Sequence, residues 1–200
     1  MASAQPTAKR AQVQEAVLKA TEELLASGGS FAELKIERIA TAAGISRTAF
    51  YFYFKDKREL LMRLAEDITG ELYGQADAWF TDQDKAPEEQ FPEAVSAIAE
   101  LYFQHGPLLR AIVEVSTYDE EIAVFWRALL QRFADSTTQR ITAAQRKGEA
   151  PSMPAAPTAF ALVWMTERTL YQQMVQGDPA DRDQLVEAIS GIWVRGIYGS

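Results

Sequence analysis

Apolar residues recur at three- and four-residue steps along almost the whole chain, and no long apolar/polar alternation interrupts them. That pattern predicts an all-α fold of about nine helices. The first runs over about 9–27, with Val13, Val17, Ala20 and Leu24 on one face, and Gly28, Gly29 and Ser30 end it. Two short helices share 36–54. A long helix follows over about 57–80, then a polar loop, TDQDKAP, over 81–87. A fifth helix spans about 88–105. Gly106 and Pro107 break it and open a short sixth, ending near 116. The seventh covers about 119–147. The proline-rich stretch GEAPSMPAAP (148–157) connects it to an eighth over about 158–176. Asp181 and Gln184 then form a capping box for a ninth helix, which Gly199 ends.

The most specific segment is 36–54, IERIATAAGISRTAFYFYF. Ile36, Ile39, Ala40 and Ala43 form an apolar stripe, and Ala40 is small enough for close helix crossing. Gly44 follows where a helix end favours a left-handed residue, and Ile45 is the apolar residue of the turn. Ser46 can cap the next helix. Phe50, Phe52 and Phe54 are expected in the core beneath it. Asp56 and Glu59 form a capping box for the long helix. Lys35 stands where a Ser or Thr cap is expected for the first motif helix.

Two short helices joined this way form a helix-turn-helix, which lays its second helix in the major groove of DNA. An ordinary corner in an all-α protein is the alternative. The small residue, the glycine, the serine cap and the cationic flanks together favour DNA. Ser46, Arg47, Thr48 and Ala49 would then face base edges. Arg47 suits guanine, and Thr48 suits a thymine methyl or a base acceptor. Tyr51, Tyr53, Lys57 and Lys35 are the candidates for the phosphate backbone. Lys57 sits at a helix start, where free amides and an ammonium both favour an anion.

The run GISRTAFYFYFKDKREL resembles the DNA-binding end of TetR-family transcriptional regulators. MTERTL (165–170) and IWVRGIYG (192–199) resemble the C-terminal part of that family's EthR-like branch. The resemblance implies a helix-turn-helix DNA-binding domain over 1–56, with 1–8 as a flexible arm. It implies a ligand-binding and dimerisation domain over 57–200. It also implies a ligand-responsive regulator, a repressor, that grips a palindromic operator as a homodimer through its eighth and ninth helices. A small apolar or amphipathic ligand would release it. Leu162, Met165, Leu185, Ile189, Ile192 and Ile197 are candidates for that seam or the core beneath it.

The second half carries large aromatics on four helices, which could fill a core or wall an apolar cleft. Spacing does not separate these outcomes. The EthR-like resemblance implies a tunnel along Phe91, Ile98, Tyr102, Trp126, Leu130, Phe133, Val163, Thr166, Tyr171 and Trp193. The branch presents two amide side chains on its eighth helix, where this chain has Val163 and Thr166. A ligand with a different polar end is the expectation. Glu167 and Arg168 are expected in ion pairs with ninth-helix charges such as Arg195.

The net charge of −8 conceals an asymmetry. Residues 1–60 hold nine Lys or Arg against seven Asp or Glu, a charge of +2, which leaves −10 for the rest. One end can meet phosphate while the bulk repels it. The chain has no Cys, and its one histidine, His105, has no partner at metal-ligand spacing, so neither a metal nor a cofactor is expected. His105 is expected to serve helix-end carbonyls. No run of about 18 apolar residues suggests a membrane span, and a cytoplasmic setting is expected. An all-α enzyme is the competing class, yet no nucleophile with a base and no phosphate-binding glycine loop supports it. A DNA-binding dimer without an effector is the third reading.

Overall fold

The computed structural model describes residues 8–81, 86–176 and 181–199. Within them lie α1 (Ala8–Ala26), α2 (Ile36–Ala42), α3 (Arg47–Tyr53), α4 (Lys57–Thr81) and α5 (Pro87–Gln104). α6 (Gly106–Val115), α7 (Glu120–Lys147), α8 (Ala155–Leu170), a wider π-helical turn (Tyr171–Gln176) and α9 (Arg182–Tyr198) follow, with no strand among the described residues. Most of the expected arm, the centre of the 81–87 loop and residues 177–180 lie outside the described residues.

The helix ends follow from local chemistry. Asp119 caps α7, accepting from the amides of Glu121 and Ile122 at 3.1 and 3.3 Å. Asp181 caps α9 in the same way, accepting from Asp183 and Gln184. Gly148 ends α7 at φ 75°, behind Arg146 and Lys147, whose charges suit a helix C-terminus. α8 starts at Ala155, earlier than predicted, with Pro157 in its first turn, where a missing N–H costs no helical bond. Its α-helical repeat stops at Leu170, and the π-turn carries the chain to Gln176. Arg110 of α6 donates to the Val175 carbonyl in that turn.

α1, α2 and α3 pack into a small head, and α4 leads from it into the body, where it lies against α5 and α7. α9 packs chiefly on α5, and α8 on α7. One apolar core runs without a break from Val17 and Phe50, through Leu60, Leu64, Ile68 and Leu72 of α4, to Ile122, Leu170 and Ile197. Polar contacts tie the head and the start of α4 to the body. Arg58 of α4 meets Asp119 and Glu121 at 2.6 and 3.1 Å. Ser30 donates to Glu114 at 3.1 Å. His105 places Nδ1 3.4 Å from Glu22, so its ring faces α1 rather than helix-end carbonyls. No helix among the described residues is long and apolar enough to cross a membrane.

Candidate DNA interface and ligand pocket

The α2–α3 unit is built as its sequence requires. Gly44 takes φ +70°, a conformation other L-residues adopt only at a cost. Ser46 is extended, and its hydroxyl accepts from the Ala49 amide at 3.1 Å, capping α3. Lys35 makes no side-chain cap for α2. Phe50 is fully buried, and Phe54, four residues on, lies 5.5 Å from it between ring centroids. Phe52 corrects the expectation of three core phenylalanines, because it is 74% exposed. Two residues from Phe50 is about 200° around a helix, so Phe50 and Phe52 cannot share a face. The Asp56/Glu59 box closes with one shift. Asp56 accepts from the Glu59 amide at 2.8 Å, while Glu59 reaches back to the Lys55 amide at 2.6 Å.

The outer face of α3 presents Arg47, Thr48, Tyr51 and Phe52, with Ser46 and Lys35 also exposed and Ala49 half-buried. Arg47 pairs with Glu37 of α2 at 2.9 Å across the solvent-facing surface. The neighbouring Tyr51 and then the Glu37 charge push its guanidinium further above the usual arginine range. Tyr53 is half-buried and packs against the core. Lys57 is placed differently from the expectation. Its ammonium turns inward and donates to the carbonyls of Phe31 and Ala32 at 2.7 and 2.9 Å. It also lies 5.0 Å from the centre of the Phe31 ring. Burial pushes this lysine below its ordinary range. Two of its three donors are spent holding the loop before α2, and sequence spacing gave no sign of a contact 26 residues back.

In the body, α4, α5, α7, α8 and α9 wall an apolar cleft of about 70 Å³. A cleft of that size is narrow. Nine of the ten expected tunnel residues line it: Phe91, Ile98, Tyr102, Trp126, Leu130, Phe133, Val163, Thr166 and Trp193. Tyr171 does not. It is buried at the start of the π-turn, its hydroxyl accepts from Gln176, and Arg168 lies over its ring. Phe91 stacks on Trp193 at 4.5 Å. The Trp193 indole N–H donates to the Thr166 hydroxyl at 2.7 Å, and that hydroxyl donates to the Leu162 carbonyl at 2.9 Å.

Sequence reasoning missed the α4 wall, Leu72 and Ala76, though both continue a four-residue stripe from Leu64 and Ile68. It also missed Thr137 and Glu167. Glu167 follows Val163 by four residues and precedes Leu170 by three, which places it on the buried stripe. Instead of pairing with Arg195, it enters the cleft wall at 3% exposure. Neither carboxylate oxygen has a hydrogen-bond partner among the described residues. The Arg168 Nε lies 3.6 Å away, within range of attraction but too far for a hydrogen bond. Burial raises the Glu167 pKa above the usual carboxylate range, with Arg168 opposing. Burial, then the nearby Glu167, holds the Tyr102 phenol neutral far above its usual value.

A capped helix-turn-helix with an exposed polar second helix, carried by an all-α body, defines a helix-turn-helix transcriptional regulator. Residues 17–64 match the bacterial regulatory proteins of the TetR family, and residues 91–199 match the C-terminal domain of the transcriptional regulator EthR. The chain belongs to the TetR family, with a C-terminal region of the EthR type. It is 31% identical over 193 residues to the HTH-type transcriptional regulator EthR of Mycolicibacterium smegmatis, covering 94% of this chain and 87% of that one. It is 29% identical to EthR of Mycobacterium tuberculosis, covering 93% and 88%. Among solved structures, it resembles the transcriptional regulator FadR of Bacillus subtilis in complex with stearoyl-CoA, at TM-score 0.76 and 17% identity over 92% of this chain and 98% of that one. FadR of Bacillus halodurans matches at TM-score 0.75 and 15% identity, covering 96% and 98%. As a member of this family of transcriptional regulators, the chain is a regulator rather than an enzyme.

Proposed function

We propose that the chain is a ligand-responsive repressor that binds a palindromic operator as a dimer in the cytoplasm and leaves it when a small molecule fills the cleft. The division into a DNA-binding region over 1–56 and a sensing and dimerising region over 57–200 belongs to this reading. Arg47 and Thr48 read base edges from the first turn of α3, with Ser46 and Ala49 beside them. Tyr51 and Lys35 reach phosphates from the exposed face, and Tyr53 sets the angle of α3 by packing. Lys57 acts by holding the loop before α2.

Two copies join through the outer faces of α8 and α9. Phe160, beside Trp164, and Ile192 leave apolar surface exposed there, while Leu162, Ile189 and Ile197 are buried in the core. Two-fold symmetry matches a palindromic site.

The observation that carries the switch is the path of α4. Its first turns, at Leu60 and Leu61, lie in the core beside the head, and its later turns, at Leu72 and Ala76, line the cleft. A ligand larger than this narrow space must move a wall, and α4 transmits that movement to α3. Successive major grooves on one face of DNA lie about 34 Å apart, so a small tilt breaks simultaneous docking. Linkage makes the effect reciprocal, at about 1–3 kcal/mol. The test is the affinity of long-chain esters, ketones and aromatic amides, read by tryptophan fluorescence with and without operator DNA. Operator weakening the binding of a ligand supports the switch. Identical affinities with and without operator DNA would remove it.

A further inference from the structure

We propose that the effector is an amphipathic amine, an apolar or aromatic body ending in a protonated nitrogen that pairs with Glu167. The proposal rests on the reading of the cleft as an effector site. It starts from an unbalanced group. Glu167 is all but buried in an apolar wall, and both its oxygens lack a hydrogen-bond partner. A buried carboxylate left in that state is costly unless something supplies donors.

The described residues do not supply them. Arg168 is 3.6 Å away, and its half-exposed guanidinium lies over the Tyr171 ring instead. Thr166 already donates to Leu162 and accepts from Trp193, so the expected hydroxyl handle for a ligand is committed. Among the described residues, no Lys, Arg or His lines the cleft. The Thr137 hydroxyl on the α7 wall is also without a partner.

An ammonium satisfies this arrangement better than a carbonyl does. A neutral Glu167 could donate one O–H to a ligand oxygen, which would leave its second oxygen bare. An ammonium brings several N–H donors and can serve both oxygens. The same cleft presents the rings of Tyr102, Trp126, Phe133 and Trp193, and aromatic faces attract cations. A carboxylate in the aromatic-rich wall of an apolar cleft is a receptor for a cation with an oily tail.

Three probes with one body separate the outcomes: phenylhexylamine, phenylhexanol and phenylhexanoate. Each is titrated calorimetrically into the full chain, wild type and Glu167→Gln. The expected result is an amine bound about ten- to a hundredfold more tightly than the alcohol. The carboxylate should bind most weakly. Glu167→Gln should erase the amine's advantage over the alcohol. An alcohol that binds as well as the amine to the wild-type protein would overturn the cation while leaving the cleft as an effector site. Binding of none of the three would overturn both. The wild-type comparison decides the matter even if the variant does not fold.

Discussion

Replacing Lys57 with methionine distinguishes a lysine that grips DNA from one that holds the head together. The substitution keeps the apolar stem and removes two hydrogen bonds from a cation to the Phe31 and Ala32 carbonyls, at 2.7 and 2.9 Å. It also removes the cation from the Phe31 ring, 5.0 Å away. Hydrogen bonds from charged groups contribute about 1.5–3 kcal/mol each when well shielded. Here Ala32 is exposed and water can replace one partner, so the expected net loss is about 1–3 kcal/mol. For a chain of this length that lowers the melting temperature by about 2–12 °C. Thermal melts followed by circular dichroism read that loss. Operator binding measured by fluorescence anisotropy over a salt series reads the other quantity. A lysine neutralising one phosphate would subtract about 0.9 from the salt slope per protomer. The structure predicts a lower melting temperature and an unchanged slope. A slope reduced by about 0.9 with stability intact would refute the inward assignment.

Two further substitutions test separate parts of the account. Glu167→Gln should stabilise the free protein at neutral pH. The raised pKa means that the folded state holds a proton the unfolded chain has lost, so stability falls as pH rises from the usual glutamate range through the folded value. The variant's gain should therefore shrink toward acid, and melts showing a constant gain, or none, would contradict the burial argument. Gly44→Ala should cost about 1–2 kcal/mol from backbone strain alone, since φ is +70° and an added methyl meets nothing within 4 Å. An unchanged denaturation midpoint would show that the turn relaxes without cost.

Much of this architecture was legible because helix ends are local. Asp119, Asp181, Ser46 and Gly148 act on amides or carbonyls within a few residues, and the sequence shows all of those partners. The cleft was legible as a set of faces, and Trp126, Leu130 and Phe133 line it together as their spacing required. The misplacements have physical causes. Phe52 was grouped with its neighbours by residue type, but helical rotation carries it to the opposite side. Tyr171 was placed in the tunnel by the EthR-like resemblance, but the α-helical repeat of α8 stops at Leu170, one residue before it. The direction of Lys57 depends on a loop 26 residues away in the chain, and no periodicity encodes such a contact. Glu167 was read as an ion-pair partner of ninth-helix charges, although its spacing from Val163 and Leu170 placed it on the buried stripe. At that position the rule that charges lie outside gives way to the site.

The central claim is that the exposed face of α3 reads DNA, and one titration addresses it directly. Duplex DNA from upstream of the chain's own gene is bound by the wild-type protein and by Arg47→Ala, with a scrambled duplex of equal length as reference. The account predicts tight, salt-dependent binding that favours the upstream duplex. Arg47→Ala should lose most of that preference, at about 1–3 kcal/mol, while keeping its affinity for the scrambled duplex. Equal losses on both duplexes, or no preference in the wild type, would contradict it.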